Sequence, residues 1–145
     1  MRFITKLLCL ISFFGFLNKA FADISVGFIY KEPPEEAFYL FDWLILDPDT
    51  FSWEKFDEKF YIKKKKSKII AYLSLGEIEP YRNYYKDIKK EWILGENKAW
   101  KTYIADIRNK EYQKFLLDKV LNKLNRYDGF FFDTMDSYQQ VLKPQ

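Results

Sequence analysis

The sequence predicts an α/β protein in which parallel strands are joined by helical crossovers, and three observations predict it. Five short apolar runs, Ile24–Tyr30, Trp43–Leu46, Ile69–Leu75, Tyr103–Ala105 and Gly129–Phe132, are rich in β-branched and aromatic residues and too short for globular helices. They do not alternate with polar residues, as befits strands buried on both faces. The acids that close four of these runs, Asp47, Glu77, Asp106 and Asp133, follow one another at intervals of 30, 29 and 27 residues, close to the ~30-residue length of a βαβ unit. Strands and helices alternating at that spacing imply a parallel sheet.

The elements follow in order. Met1 to Ala22 has the three parts of a secretory signal: Arg2 and Lys6 at the start, an apolar run from Leu7 to Leu17, and Ala20-Phe21-Ala22 as a cleavage signature before Asp23. The apolar run is well short of the ~20 residues that span a bilayer, so export with cleavage after Ala22 is expected, to the periplasm or the exterior, and no stable membrane anchor. Cys9 is preceded by Leu8, which does not suit a lipobox. After the first strand, Pro33-Pro34 opens a turn or short helix through Phe41. Ser52 can cap a helix from Trp53 to Lys66, whose terminal Lys63–Lys66 run reads as a solvated helix end. Glu111–Leu124 places Tyr112, Phe115, Leu116, Val120, Leu121 and Leu124 at three- and four-residue spacing, an amphipathic helix.

Composition excludes several chemistries. The chain has no histidine, which rules out a Ser-His-Asp triad, a Cys-His pair and histidine-ligated zinc within it. Its one cysteine lies in the signal-like segment, so the rest makes no intramolecular disulfide. No cofactor or metal is expected. The first 22 residues carry three of the 24 Lys and Arg and no acid, leaving 21 bases against 21 acids. Nucleic-acid binding normally needs a basic excess, and none remains. Aromatics make up 21% of the chain; most fill a core, but exposed rings also suit a sugar-binding cleft.

Asp47, Glu77, Asp106 and Asp133 each follow an apolar run, and in an α/β sheet such positions share the C-terminal rim where active sites form. An acid there can also do no more than cap the next helix. Two stretches are densest in reactive groups. In Tyr72-Leu-Ser-Leu-Gly-Glu-Ile-Glu-Pro-Tyr-Arg82, Gly76 permits a sharp turn and Glu77, Glu79, Tyr81 and Arg82 crowd a short loop, which can bind hydroxyls or form a surface salt-bridged loop. In Tyr127-Asp-Gly-Phe-Phe-Phe-Asp-Thr-Met-Asp-Ser-Tyr138, a buried strand delivers Asp133 and Asp136, with Thr134 and Ser137 beside them; Ser137 can cap a following helix. The spacing Asp133-Thr-Met-Asp136 is one residue too long for the D-x-D motif of haloacid dehalogenase-type phosphohydrolases, and metal-dependent deacetylases need the histidines this chain lacks.

These stretches, with Trp92, Trp100 and Asp106-Ile-Arg108, resemble the glycoside hydrolase family 114 type of TIM barrel, the endo-α-1,4-polygalactosaminidase-like group. The resemblance runs from about Ile24 to the end and rests on the G-E-x-E-x-Y-R pattern at 76–82 and the G-F-F-x-D-T-x-D-S pattern at 129–137. It implies a (β/α)8 fold and hydrolysis of galactosamine-containing or related polysaccharide. It implies Asp133 as catalytic acid, with Tyr72, Glu77, Glu79, Arg82, Asp47, Asp106 and Asp136 binding or shaping the substrate.

The expected organisation is a signal peptide over 1–22 and a partial glycoside hydrolase TIM-barrel domain over 23–145. A complete barrel takes roughly 250 residues, so the expectation is of a barrel truncated after about five strands. Such hydrolases use two carboxylates, and the partner of Asp133 is expected beyond Gln145. The alternative is a non-catalytic glycan-binding or vestigial half-barrel module, sharing the aromatic rim but needing no second acid. A general polyanion binder resting on Lys63–Lys66 conflicts with the neutral charge.

Overall fold

In a computed structural model, residues 23–60 and 67–142 are described. The signal-like segment and the Lys63–Lys66 run lie outside them. Four strands, β1 (Val26–Ile29), β2 (Trp43–Leu46), β3 (Lys68–Ser74) and β7 (Gly129–Asp133), form a sheet in the order β1-β2-β3-β7. Every pairing is parallel, with Phe28 beside Ile45, Ile45 beside Ile70, and Tyr72 beside Phe131. Parallel neighbours require crossovers, and the first two hold α1 (Ala37–Leu40) and α2 (Trp53–Phe60). Ser52 caps α2 as expected, its hydroxyl accepting from the Lys55 amide at 3.3 Å.

The crossover from β3 to β7 departs from the expectation. Tyr103–Ala105 does not enter the parallel sheet. Instead β4 (Glu77–Ile78), β5 (Ile93–Asn97) and β6 (Thr102–Ala105) make a separate antiparallel sheet in the order β4-β6-β5. The near-regular interval of acids concealed one long crossover containing a small antiparallel sheet, so four parallel strands form where five were expected. The physical reason is visible in the partners: β6 carries ladder bonds on both sides, to β4 and to β5, leaving it no edge to offer β3. Strand β5 was not foreseen, since Ile93–Asn97 holds only two strongly apolar residues.

After β6 comes α3 (Lys110–Phe115), which continues through a π-turn at Leu116–Val120 and a 3-10 turn at Leu121–Leu124. The predicted Glu111–Leu124 amphipathic segment is therefore present but wound unevenly. Its N-cap is Asn109, whose side chain accepts from the amides of Glu111 and Tyr112.

All three helices lie on one face of the parallel sheet. Side chains alternate across a strand, so Leu44, Leu46 and Ile69 pack with Ala37, Phe38 and Phe51 under α1 and α2. On the same face, Leu73 joins Ile78, Trp92, Ala105, Tyr112 and Leu116 between the antiparallel sheet and α3. The opposite face carries Ile45, Ile70, Tyr72 and Phe131. Here the rings of Phe28 on β1 and Phe131 on β7 meet edge to face, centroids 5.1 Å apart. In a flat sheet those edge strands would stand roughly 14 Å apart. The sheet is therefore strongly curved, concave on this face. No helix among the described residues is long and apolar enough to cross a membrane.

Leu46 is fully buried on the helix-covered face. Leu46→Ala is expected to cost about 2–5 kcal/mol, read as a lower urea midpoint with unchanged slope.

Candidate active site

The C-terminal end of β3 and the loop after β7 meet at Gly76. A methyl group placed there would lie 1.9 Å from the Thr134 carbonyl oxygen, so only glycine permits the approach. Thr134 takes φ of 60°, a left-handed conformation rare outside glycine. Its hydroxyl oxygen accepts from the amides of Gly76 and Glu77, each at 3.1 Å, and lies 2.8 Å from the Ser74 hydroxyl. Asp133, on the last residue of β7, is thereby held against β3. Its Oδ2 accepts from the Tyr72 hydroxyl at 2.8 Å and its Oδ1 from the Thr134 amide at 2.8 Å.

Glu77 is buried and fully engaged. Its Oε1 accepts from Ser137 Oγ at 2.6 Å and Asn97 Nδ2 at 3.1 Å, and its Oε2 from the Thr102 hydroxyl. Burial alone would raise its pKa, but the donors from Ser137, Thr102 and Asn97 outweigh burial and hold it below the ordinary glutamate value. The carboxylate clasps the antiparallel sheet to the loop after β7. Ser137, read from sequence as a helix cap, instead spends its hydroxyl on this clasp.

A second ionic cluster lies alongside. Arg82 is only 5% exposed; its Nη1 donates to Asp47 Oδ1 at 2.6 Å and Asp49 Oδ2 at 3.1 Å, and its Nε to Glu79 Oε2 at 2.6 Å. Burial opposes the charge on Arg82, but Glu79 and Asp47 more than offset it and hold the guanidinium above its ordinary pKa. Asp47 also accepts from the Asp49 amide at 2.9 Å, closing the turn after β2. Glu79 Oε1 accepts from the Tyr81 hydroxyl at 3.0 Å.

These groups border a cleft of about 820 Å³ lined by Tyr30, Tyr72, Glu77, Glu79, Tyr81, Trp100, Lys101, Thr102, Asp133 and Thr134, among others. Burial and nearby acids push the phenols upward, Tyr81 to about 12, and raise Tyr30 and Tyr72 as well. At neutral pH the tyrosines are hydroxyl donors. A smaller cavity of about 370 Å³, between the loop after β2 and the end of α3, contains Arg82, Lys86, Lys119 and Lys123 and lacks Asp133.

A concave wall of tyrosines with one strand-borne aspartate suits a polar, ring-shaped ligand. The sequence profile of glycoside-hydrolase family GH114 matches residues 31–145. The chain belongs to this family. The glycoside hydrolase domain of PelA from Pseudomonas aeruginosa is similar at 28% identity with a TM-score of 0.64, covering 82% of this chain and 47% of that one. A variant of the same domain matches at 28% identity with a TM-score of 0.62. The crystal structure of Aspergillus fumigatus Ega3 in complex with galactosamine shares the fold, with 16% identity, a TM-score of 0.65 and coverage of 83% of this chain and 48% of that one. The chain thus spans about half the length of these solved structures. No curated protein matches it.

Within this GH114 chain the structure sorts the residues singled out from sequence. Tyr72, Glu77, Glu79 and Asp133 line one cleft. Asp47 and Arg82 stand behind it, bound to each other. Asp106 is not brought to the cleft: it follows the end of β6 on the antiparallel sheet, and its carboxylate accepts from Arg108 Nε at 2.8 Å. Asp136 is exposed and opens a 3-10 turn at Ser137–Gln140. Sequence reasoning gave no site role to Tyr30, Trp100, Lys101 or Thr102, all of which line the cleft. Tyr30 had a signal, since it ends the first strand on the same rim. The others arrive through the antiparallel sheet, whose pairing no local pattern announced.

Two outcomes follow. Arg82→Leu leaves buried Asp47 and part-buried Glu79 without their counter-ion and should cost about 3–5 kcal/mol of unfolding free energy, measured by urea titration. The depressed Glu77 contributes stability that is full above its unfolded value of 4.5 and is lost as pH falls through the lower folded value. Glu77→Gln should therefore flatten the decline in Tm below about pH 4.5 relative to the parent protein.

Proposed function

We propose that this chain is the N-terminal half of a polysaccharide hydrolase domain acting outside the cytoplasm on galactosamine-containing or related glycan, with Asp133 acting at the glycosidic bond. The observation that carries this reading is the placement of Asp133. It projects from a strand end into an aromatic cleft, with one oxygen oriented by Tyr72 and the other by a backbone amide. The family supports glycoside chemistry, and the galactosamine bound by Ega3 supports an amino sugar as substrate class. The N-terminal segment of signal character supports export.

The reaction class follows from the chemistry of such bonds. Cleavage passes through an oxocarbenium-like transition state flanked by two carboxyl groups. Asp133 is one. Of the other carboxylates lining the cleft among the described residues, Glu77 has both oxygens occupied by three donors and Glu79 has both occupied by Tyr81 and Arg82. Each is committed to holding structure. The second acid is therefore assigned to the remaining half of the domain. The curvature of the four-stranded sheet supports closure of that domain into a (β/α)8 barrel, with the concave face turned inward. Tyr30 supplies a phenolic donor to sugar hydroxyls.

The same commitment of Glu77 and Glu79 favours a second reading for this chain taken alone, as a glycan-binding module without turnover. Incubation with α-1,4-linked galactosamine polymer, followed by reducing-end titration and a parallel binding measurement, separates the two. In a protein carrying the complete domain, Asp133→Asn is expected to lower turnover at least a thousandfold while leaving Tm and glycan binding in place. Retained turnover overturns the assignment. Binding without product by the parent protein establishes the second reading.

A further inference from the structure

We propose that Trp100, at the tip of the hairpin between β5 and β6, is a stacking platform for a sugar ring adjoining the one held at Asp133. This rests on the glycan-hydrolase reading above and adds a second subsite to it.

The argument begins with exposure. Trp100 is 78% exposed, more than any other large hydrophobic among the described residues, yet it borders the cleft rather than the outer surface. Leaving an indole in water forgoes the stabilisation its burial would bring, and nothing in the hairpin requires a large ring at its turn. The next residue, Lys101, holds φ of 56°. A non-glycine side chain in that conformation costs of order 1 kcal/mol or more. Lys101 and Thr134 are the two non-glycine residues with positive φ among those described, and both line this cleft. Strain of this kind concentrates where side chains are aimed for a purpose.

The surroundings define the ligand. Tyr81, 64% exposed, is fixed by its hydroxyl on Glu79, with the Arg82 guanidinium 4.9 Å from its ring centre. It therefore forms a second aromatic border whose position is set. A wall that offers flat rings at its mouth and phenols and carboxylates deeper in fits a pyranose chain, whose rings have apolar C–H faces and polar edges. The cleft, at about 820 Å³, has room for more than a single pyranose ring. The platform thus recognises length: the ligand class is an oligosaccharide of at least two pyranose residues.

The test is affinity of the full chain for α-1,4-linked galactosamine monomer, dimer and tetramer by isothermal titration, comparing parent, Trp100→Ala and Trp100→Phe. Trp100→Ala is expected to weaken dimer and tetramer on the order of tenfold, leave the monomer unchanged, and be restored largely by Trp100→Phe. Circular dichroism should be unaltered, since the side chain packs on little. Equal oligomer affinity in Trp100→Ala overturns the platform while the hydrolase reading stands. An equal loss for monomer and tetramer also overturns it, because the residue then acts on the Asp133 end. Absence of binding to every sugar by the parent chain removes both the glycan reading and this inference.

Discussion

The close approach of Gly76 to Thr134 sets the geometry on which the cleft depends. Two chain reversals, one leaving β3 and one leaving β7, must share a space too small for a single methyl group. Because they do, the Thr134 hydroxyl reaches two backbone amides of the other turn, and Glu77 reaches Ser137 across the same junction. These bonds are made in a dehydrated corner, where an unmet donor or acceptor would cost more than the bond contributes. The corner therefore holds Asp133, at the last position of β7, in one orientation. It also docks the antiparallel sheet, which carries Trp100 and Thr102, beside it.

Charge is handled in a graded way across the rim. Arg82 and Asp47 are buried together with Glu79 partly exposed beside them, and their mutual attraction offsets the cost of removing each from water. Glu77 is ionised through hydrogen bonds instead of a counter-ion. Asp133 keeps only two donors, from Tyr72 and a backbone amide, and faces the cleft. Acidic residues of similar appearance in the sequence thus differ in what the fold sets beside each: the Arg82 cation for Asp47 and Glu79, three side-chain donors for Glu77, and the open cleft for Asp133.

The curvature of the parallel sheet links packing to function in a second way. Helices cover one face, where Leu44, Leu46 and Ile69 are fully buried. The other face bends until Phe28 meets Phe131, and the strand ends converge on the same concave side. Val26, Phe28 and Trp43, on this face, stay 40–46% exposed, as does the stacked pair Phe130 and Phe132 on the helix side of β7.

The sequence by itself determined the α/β class, the Ser52 cap, the amphipathic stretch Glu111–Leu124 and the motifs of the family, and it placed the four strands of the parallel sheet while counting Tyr103–Ala105 as a fifth. All are local: apolar runs, period, and motifs such as 76–82 and 129–137 are contiguous along the chain. It also marked Asp133, because a strand delivers that residue directly. What the tertiary structure decided was which residues meet. Tyr103–Ala105 has the composition of a buried parallel strand, and only the competing partners β4 and β5 place it elsewhere and take Asp106 away from the cleft. The role of Glu77 was hidden, because a carboxylate's task depends on donors distant in sequence, here Ser137, Thr102 and Asn97, whereas the Glu79–Arg82 pair lies within one loop and was legible there as a salt-bridged loop. Long-range hydrogen bonds leave no periodicity in the sequence, so the difference between Glu77, enclosed by donors, and Asp133, open to the cleft, emerges only when the chain is folded.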